Sequence, residues 1–287
     1  MTTLIKRHLL VFLRDRWSVF FSFLSVIIIL LLYALFLMEM LRANLPEDLI
    51  GSAEADYLIY SWLLSGVLMV STVTVPLGFL AVMIRDKDEA VSNDFFVAPL
   101  KRLNITLSYL IAAFTVTFIL AVLNLALGQL IIYVNVQELL PATAFFKTLL
   151  ITALSSALFT AMLYAMVSFI RSQNAHGTLS SIIGTLIGFV CGMYVPIGVF
   201  GKTVRSLLNA LPFMQISALY RKVYMDEALQ KVFGENPDAL ESYNAFYGID
   251  IDLFSSNLSE TTLVVILILW TVLFTALSAW RVKGFKT

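Results

Sequence analysis

The chain has 287 residues, 60% of them hydrophobic and 13% charged, with mean hydropathy +0.89 and a formal net charge of zero. Soluble domains carry about 45–50% apolar and about 25% charged residues, so this balance excludes a soluble globular protein and points to a polytopic membrane protein. The single cysteine, Cys191, lies in an apolar run and excludes an intrachain disulfide framework, which leaves it as a packing residue.

Residues 1–16 place Ile5, Leu9 and Phe12 on one helical face, with Lys6, Arg7 and Arg14 elsewhere and Trp17 just beyond. That pattern predicts a helix lying in the membrane interface, its basic residues anchored near anionic headgroups. The apolar run that follows, 17–38, is too long for a signal peptide and lacks a small-residue cleavage site. It is the first of six runs, the others being 57–84, 103–134, 148–170, 178–199 and 261–280. Each is long enough to cross a hydrocarbon core of about 30 Å, which takes about 20 helical residues. Pro76 predicts a kink in the second. The expected fold is a single all-α integral membrane domain over residues 1–287, with six spans and both termini on one side.

Between the second and third spans lies a polar island, residues 85–102, reading RDKDEAVSNDFFVAPLKR. As a helix it puts Val91, Phe95 and Ala98 on one face at i, i+4 and i+7, with Phe96 flanking the stripe. Asp88, Glu89, Ser92 and Asn93 lie around the rest, followed by Asp94. Asp86, Asp88 and Glu89 are expected in the first turn, where carboxylates suit the helix dipole. Pro99 has no amide hydrogen and disfavours helix in the residue before it, so the helix should stop near Ala98. A compact amphipathic helix tethered to the membrane is suited to press into another protein.

Basic residues orient the whole. The N-terminal segment, the 85–102 island, Arg171 and the tail share one face and hold 12 Lys/Arg against five acids; the other face holds seven and fourteen. The positive-inside rule makes the first face cytoplasmic. Arg42 and Lys147 are the basic residues of the two short outer loops.

Two spans carry small-residue ridges. Ala153, Ala157, Ala161 and Ala165 recur every four residues in the fourth, and Gly184, Gly188 and Gly192 do so in the fifth, which ends before Pro196. Such spacing lets helix backbones approach closely in lipid, either inside one bundle or at a subunit interface or moving gate. The outer segment 197–260 follows. Its first part spaces Val204, Leu207, Leu208 and Leu211 at helical intervals and stops at Pro212; a second helical run covers 213–233, then a turn at 235–238. A re-entrant or interfacial helix pair is expected, because non-helical backbone at membrane depth must be shielded by protein or water. Tyr220, Tyr224, Tyr243 and Tyr247 suit interfacial anchoring.

Motifs for chemistry are few. Gly201-Lys202-Thr203 imitates the end of a phosphate-binding loop, but the glycine required five positions earlier is Pro196 and no strand precedes it. The chain has no Gly-x-Ser-x-Gly elbow and no His-Glu-x-x-His. Its two histidines, His8 and His176, sit on separate segments near the cytoplasmic surface and are expected to be solvated or interfacial. The apolar runs hold almost no ionisable groups, Glu39 lying at a span end, whereas ion-coupled carriers place carboxylates or broken helices near the midplane. No catalytic, metal-binding or cofactor-binding residue is expected, and any energy must arrive from outside the membrane.

The order of elements resembles the permease subunits of type-2 ATP-binding-cassette exporters over the whole chain. In that family the loop after the second span typically reads Arg-Glu, further charges, Gly-Thr-Leu-Glu, two leucines, one or two small residues and Pro-Leu. Here Arg85-Asp86 takes the opening, Asp88-Glu89 the charges, Ala90-Val91 the Gly-Thr position, Asp94-Phe95-Phe96 the acid and apolar pair, and Ala98-Pro99-Leu100 the close. The resemblance implies a passive half-transporter in a bacterial plasma membrane. A second permease copy would pair with it, and two copies of a cytoplasmic ATPase, which bind ATP and magnesium, would drive it through the 85–102 coupling helix. It further implies that Val91, Phe95 and Phe96 fill an apolar groove on the ATPase. Asp86, Asp88, Glu89 and Asp94 would set register, Pro99 would close the helix, and Lys6, Arg7, Arg14 and Trp17 would anchor the assembly to the inner leaflet and its lipid. No nucleic-acid partner is expected.

Twenty-two Phe and ten Met offer a pliable apolar lining that suits drugs, lipids or amphipathic peptides. A glycan or lipid-linked polymer exporter of the same family is the alternative cargo class. A gradient-driven carrier or channel, and a membrane-embedded enzyme, are the rivals from other classes.

Overall fold

A computed structural model describes residues 1–17, 51–234, 236–253 and 256–283, with isolated positions at 19, 20, 24, 27, 28, 31 and 41. The predicted first span, 17–38, lies largely outside the described residues. The remainder is helical apart from one minimal antiparallel pair, β1 (Asp252–Leu253) with β2 (Ser256–Asn257).

The centre is α2, Ala53–Asp88, which Ser52 caps by accepting a hydrogen bond from the Ala55 amide at 3.1 Å. At about 1.5 Å per residue it is about 54 Å long, so it crosses a bilayer core and projects beyond it. It is buried over almost its whole length, against α4 (Arg102–Val136), α5 (Ala142–Val167) and α6 (Gln173–Val190). Pro76 sits inside it and removes the ladder hydrogen bond to the Thr72 carbonyl. Near that break His176 Nε2 lies 3.1 Å from the Leu77 carbonyl and Thr72 Oγ1 lies 2.7 Å from Ser155 Oγ, so polar contacts brace the weakened turn. His176 is therefore buried, not solvated as expected.

Four described helices are long and apolar enough to cross a membrane: α2, α4, α5 and the last helix, α11 (Glu260–Lys283, apolar over Glu260–Trp280). The alanine ridge of α5 packs inside this bundle. Ala161 and Ala165 are buried, Ala153 and Ala157 half-buried, and Ser278 of α11 reaches the Ala161 carbonyl at 3.2 Å.

The glycine series behaves differently from a ridge. Gly184 has open space where a side chain would stand. A methyl on Gly188 would fall 2.2 Å from the Tyr194 ring, which folds back onto the helix. Gly192 adopts φ +66, and the Met193 amide returns to the Gly188 carbonyl at 2.8 Å. Left-handed glycine with such a returning amide terminates a helix. Consequently α6 stops at Val190, short of the predicted end at 199, and Pro196 begins a separate short turn.

Beyond that stop, residues 202–247 form a cap of four helices: α7 (Lys202–Ala210), α8 (Pro212–Tyr224), α9 (Asp226–Phe233) and α10 (Pro237–Tyr247). The predicted single run 213–233 is broken at Met225. Helix α8 is buried among α2, α5 and α11. Tyr220, Tyr224 and Tyr247 are internal in consequence, and Tyr243 is half-buried. Tyr220 donates to Thr152 Oγ1 at 3.0 Å, and Tyr224 accepts from Gln129 Nε2 at 2.6 Å. Tyr243 stacks on Tyr247 with ring centres 4.2 Å apart. Buried tyrosine hydroxyls need partners, and for Tyr220 and Tyr224 helix–helix hydrogen bonds replace the expected headgroup anchoring.

Candidate functional site: the junction behind the short polar helix

The polar island folds as two pieces. Residues 85–88 prolong α2, Glu89 caps it, and a separate helix, α3 (Val91–Val97), begins after Ala90. The acids expected in the first turn of the polar helix thus occupy the last turn of α2, where the dipole opposes carboxylates and favours the adjacent Arg85 and Lys87. Ala90 has φ 60 and ψ 9, the left-handed conformation, at the position where the resembled loop carries glycine. A Cβ in that region costs about 1–2 kcal/mol. At the other end Ala98 is extended, as the proline after it requires, and α3 stops where Pro99 predicts.

Asp86 is the centre of the junction. It is 2% exposed, so it does not set register on an outward surface as expected. Arg7 of α1 (Thr2–Arg14) clasps it with both guanidinium nitrogens, Nη1 to Oδ2 and Nη2 to Oδ1 at 2.6 Å. Tyr109 of α4 donates its phenol to Oδ2 at 2.5 Å. A fork of two parallel N–H bonds on a carboxylate is both strong and directional, which compensates for removing the charge from water. Arg7 is therefore held by the protein; Lys6 and Arg14 remain exposed on α1, and Trp17 just beyond it.

Next to the pair, His8 stacks on Tyr109 with ring centres 3.8 Å apart. Its Nε2 lies 3.1 Å from Ser108 Oγ, whose own hydrogen goes to the Ile105 carbonyl at 2.7 Å. Nε2 must then be the donor, leaving Nδ1 to accept from Arg7 Nη1 at 3.2 Å. The imidazole is neutral and its tautomer fixed from both sides. Burial, and then the neighbouring Arg7 charge, push its pKa down to about 4. The same Asp86 bond moves Arg7 upward, keeping the guanidinium charged. This arrangement replaces the solvated His8 expected from its position.

Phe95 ties α3 to this cluster. The Arg7 guanidinium lies 5.3 Å from its ring centre, and His8 meets the ring edge-on at 6.3 Å. Phe95 is thus half-buried and faces inward, where the resemblance implied that it fills a groove on the ATPase. Val91 is half-buried too; the side chain of Phe96 lies outside the described residues. Exposed are Asp88, Glu89, Asp94 and Pro99, with Val97 87% exposed. Lys87 braces the floor by donating to the Ser168 and Ile170 carbonyls at 3.2 and 3.3 Å, capping the end of α5.

The apolar face of α1 completes the assembly. Phe12 is buried on Phe79 of α2 with ring centres 5.3 Å apart, while Leu4, Ile5 and Leu9 pack on the same core. Sequence periodicity located this face correctly, but it covers protein where acyl chains were expected.

Among the described residues no three His, Cys, Asp or Glu side chains converge as metal ligands would. What the junction can do is mechanical: it locks two amphipathic helices and the ends of two long ones into one unit. Long apolar helices around a buried α2, with a short helix pinned across their polar ends, define a polytopic membrane protein with a presented helix. Residues 1–225 match the ABC-2 type transporter family, and the chain belongs to that family. It is a transmembrane subunit of an ABC transporter, a class that works with a partner ATP-binding subunit. Comparison with curated proteins gave no match.

Proposed function

We propose that this chain is the passive, membrane-spanning half of an ATP-driven exporter, moving a hydrophobic or amphipathic substrate outward while a cytoplasmic ATPase grips α3. The observation that carries the reading is the division of α3 into two faces. Phe95 is held by Arg7 and His8, while Val97 and Asp94 are exposed. A helix pinned on one side and bare on the other transmits a push to everything it is pinned to. Through Arg7, Asp86 and Tyr109 that includes α1, α2 and α4.

In this reading the basic face is cytoplasmic, two permeases and two ATPases make the transporter, and six spans cross the plasma membrane. Asp88, Glu89 and Asp94 set register with basic residues of the ATPase, and Val97 supplies the apolar contact. Phe95 and Asp86 act as positioning residues behind them. Val97→Asp is the test, because Val97 touches too little of this chain to matter for folding. Copurification of the ATPase from mild detergent should be lost while the permease stays inserted at wild-type yield. An intact complex would refute docking through α3.

A further inference from the structure

Behind α3 the structure holds a cavity of about 340 Å³, bounded by α2, α3, α4, α5 and α11. Seven of its thirteen lining side chains are neutral and polar, and six of these are hydroxyls: Ser92, Thr106, Tyr109, Tyr164, Ser168 and Ser278. Asn93 is the seventh, while Met83, Phe95 and Ile105 supply an apolar wall. The cations that reach it call for no anion. Lys87 donates to the Ser168 and Ile170 carbonyls, Arg102 is engaged within the protein, and Arg171 is exposed. No carboxylate lines the cavity among the described residues.

What these groups have left to offer defines the occupant. Tyr109 gives its hydrogen to Asp86, Ser168 to the Ala165 carbonyl at 2.7 Å, and Ser278 to the Phe274 and Ala161 carbonyls at 2.8 and 3.2 Å. Each retains oxygen lone pairs alone, so toward the cavity it can only accept. Ser92 and Asn93 have no side-chain partner among the described residues and are able to donate. Tyr164 donates to Thr106 Oγ1 at 3.2 Å, and the Thr106 hydrogen is left without an acceptor among the described residues, on a side chain 1% exposed. Donors and acceptors thus stand side by side around one hollow. A phosphate or carboxylate only accepts and leaves Ser168 and Ser278 unserved; an ammonium only donates and leaves Thr106 unserved. A hydroxyl does both and carries no charge. Buried polar groups left unpaired are costly, so the lining selects a molecule rich in hydroxyls, and the volume lies within the range of small-ligand pockets.

We propose that this cavity binds an uncharged, polyhydroxylated ring of sugar size, its hydroxyls shared among Ser92, Thr106, Ser168 and Ser278 and its carbons resting on Phe95. The ligand touches α3 on one side and the long helices on the other, so it ties the presented helix to the bundle from behind. The proposal rests on the cavity and not on an ATPase partner, so its test uses the permease alone.

The full-length chain in phosphatidylcholine nanodiscs is titrated with methyl glucoside and with octyl glucoside, the same head on a chain. Cyclohexanol serves as a ring with one hydroxyl, and glucose 6-phosphate as the charged counterpart. Binding is read by saturation-transfer NMR, and protection of residues 91–97 by hydrogen exchange. Methyl glucoside should bind saturably, slow exchange in α3, and bind roughly tenfold more tightly than cyclohexanol or glucose 6-phosphate. Thr106→Val and Ser92→Ala should each weaken it roughly fivefold. Thr115→Val, the same change on α4 outside the cavity, should alter it less than about twofold. Since the Ser92 side chain has no partner, its variant folds whatever Thr106→Val does. Tighter binding of octyl glucoside supports the site with a glycolipid head as occupant, and equal binding supports it with the free polyol. Cyclohexanol binding as tightly as methyl glucoside would overturn selection by hydroxyls, and tighter glucose 6-phosphate would overturn the uncharged class. Equal weakening by Thr115→Val, or no saturable binding of either glucoside, would overturn the site.

Discussion

Two arginines of this protein, one toward each end of the bundle, are held by protein partners in different ways. Arg221 of α8 is fully buried in the helical cap. It donates to the Tyr247 carbonyl at 2.7 Å, Gly192 at 2.7 Å, Cys191 at 3.1 Å and Gly248 at 3.4 Å, and lies 5.4 Å from the Trp62 ring centre. Its acceptors are backbone, drawn from the broken end of α6 and the exit of α10. Arg7 at the other end clasps a side-chain carboxylate and stays about a third exposed. Backbone carbonyls cannot rotate away, so the cap is stapled in one arrangement. A side-chain pair between separate helices can part, and its histidine neighbour can titrate. The contrast is between a cap held by fixed backbone acceptors and a junction held by a side-chain pair.

Removing the staple of the cap should have the largest effect. Arg221→Met keeps the bulk but deprives several buried carbonyls of their donor, a loss of about 3–5 kcal/mol. Unfolding midpoints of the detergent-solubilised protein should fall accordingly, with the cap loosening first in hydrogen exchange. Survival of the cap would break the comparison.

Arg7→Ala should come next, at about 3 kcal/mol, because it leaves the Asp86 carboxylate buried with only Tyr109; the partial exposure of Arg7 moderates the cost. Here the damage should be local. Protease access to residues 1–17 and 89–100 should rise while the 202–247 cap keeps its protection.

Acidity sharpens the same contrast. His8 titrates lower in the folded junction than in a free chain, so the unfolded state binds the extra proton between about pH 6.5 and pH 4. Attachment of α1 should be constant above that window and weaken as pH falls through it. Hydrogen exchange of α1 amides at pH 7 and pH 5, corrected for intrinsic rates, reads this directly, and His8→Phe should flatten the response.

The smallest change is a gain. Ala90→Gly relieves the left-handed strain between α2 and α3, offset by the extra freedom of glycine in the unfolded chain, for a net stabilisation of about 0.5–1 kcal/mol. A stability unchanged or lowered in thermal unfolding would show that Ala90 is not strained there.

Several features were legible before any coordinates. Pro99 ended α3, Ile5, Leu9 and Phe12 marked the packing face of α1, and the alanine ridge found its close neighbour in α11. Each follows from local rules, namely backbone sterics, helical period and side-chain size. The glycines misled because one spacing serves two purposes. Gly188 makes room for Tyr194, and Gly192 supplies a positive φ that ends the helix. Arg221 left the faintest trace, a cation in the buried stretch PFMQISALYRKVY, since its acceptors are main-chain atoms that no residue type announces.

Composition by itself determined that this chain lives in a membrane, because 60% hydrophobic residues in runs of twenty have no other way to leave water. Only the tertiary structure decided which charges face out. Asp86 and Asp88 are two residues apart in the same acidic cluster, yet one is clasped inside and the other is solvated. That difference depends on Arg7 and Tyr109 arriving from distant segments, and chain proximity carries no record of it.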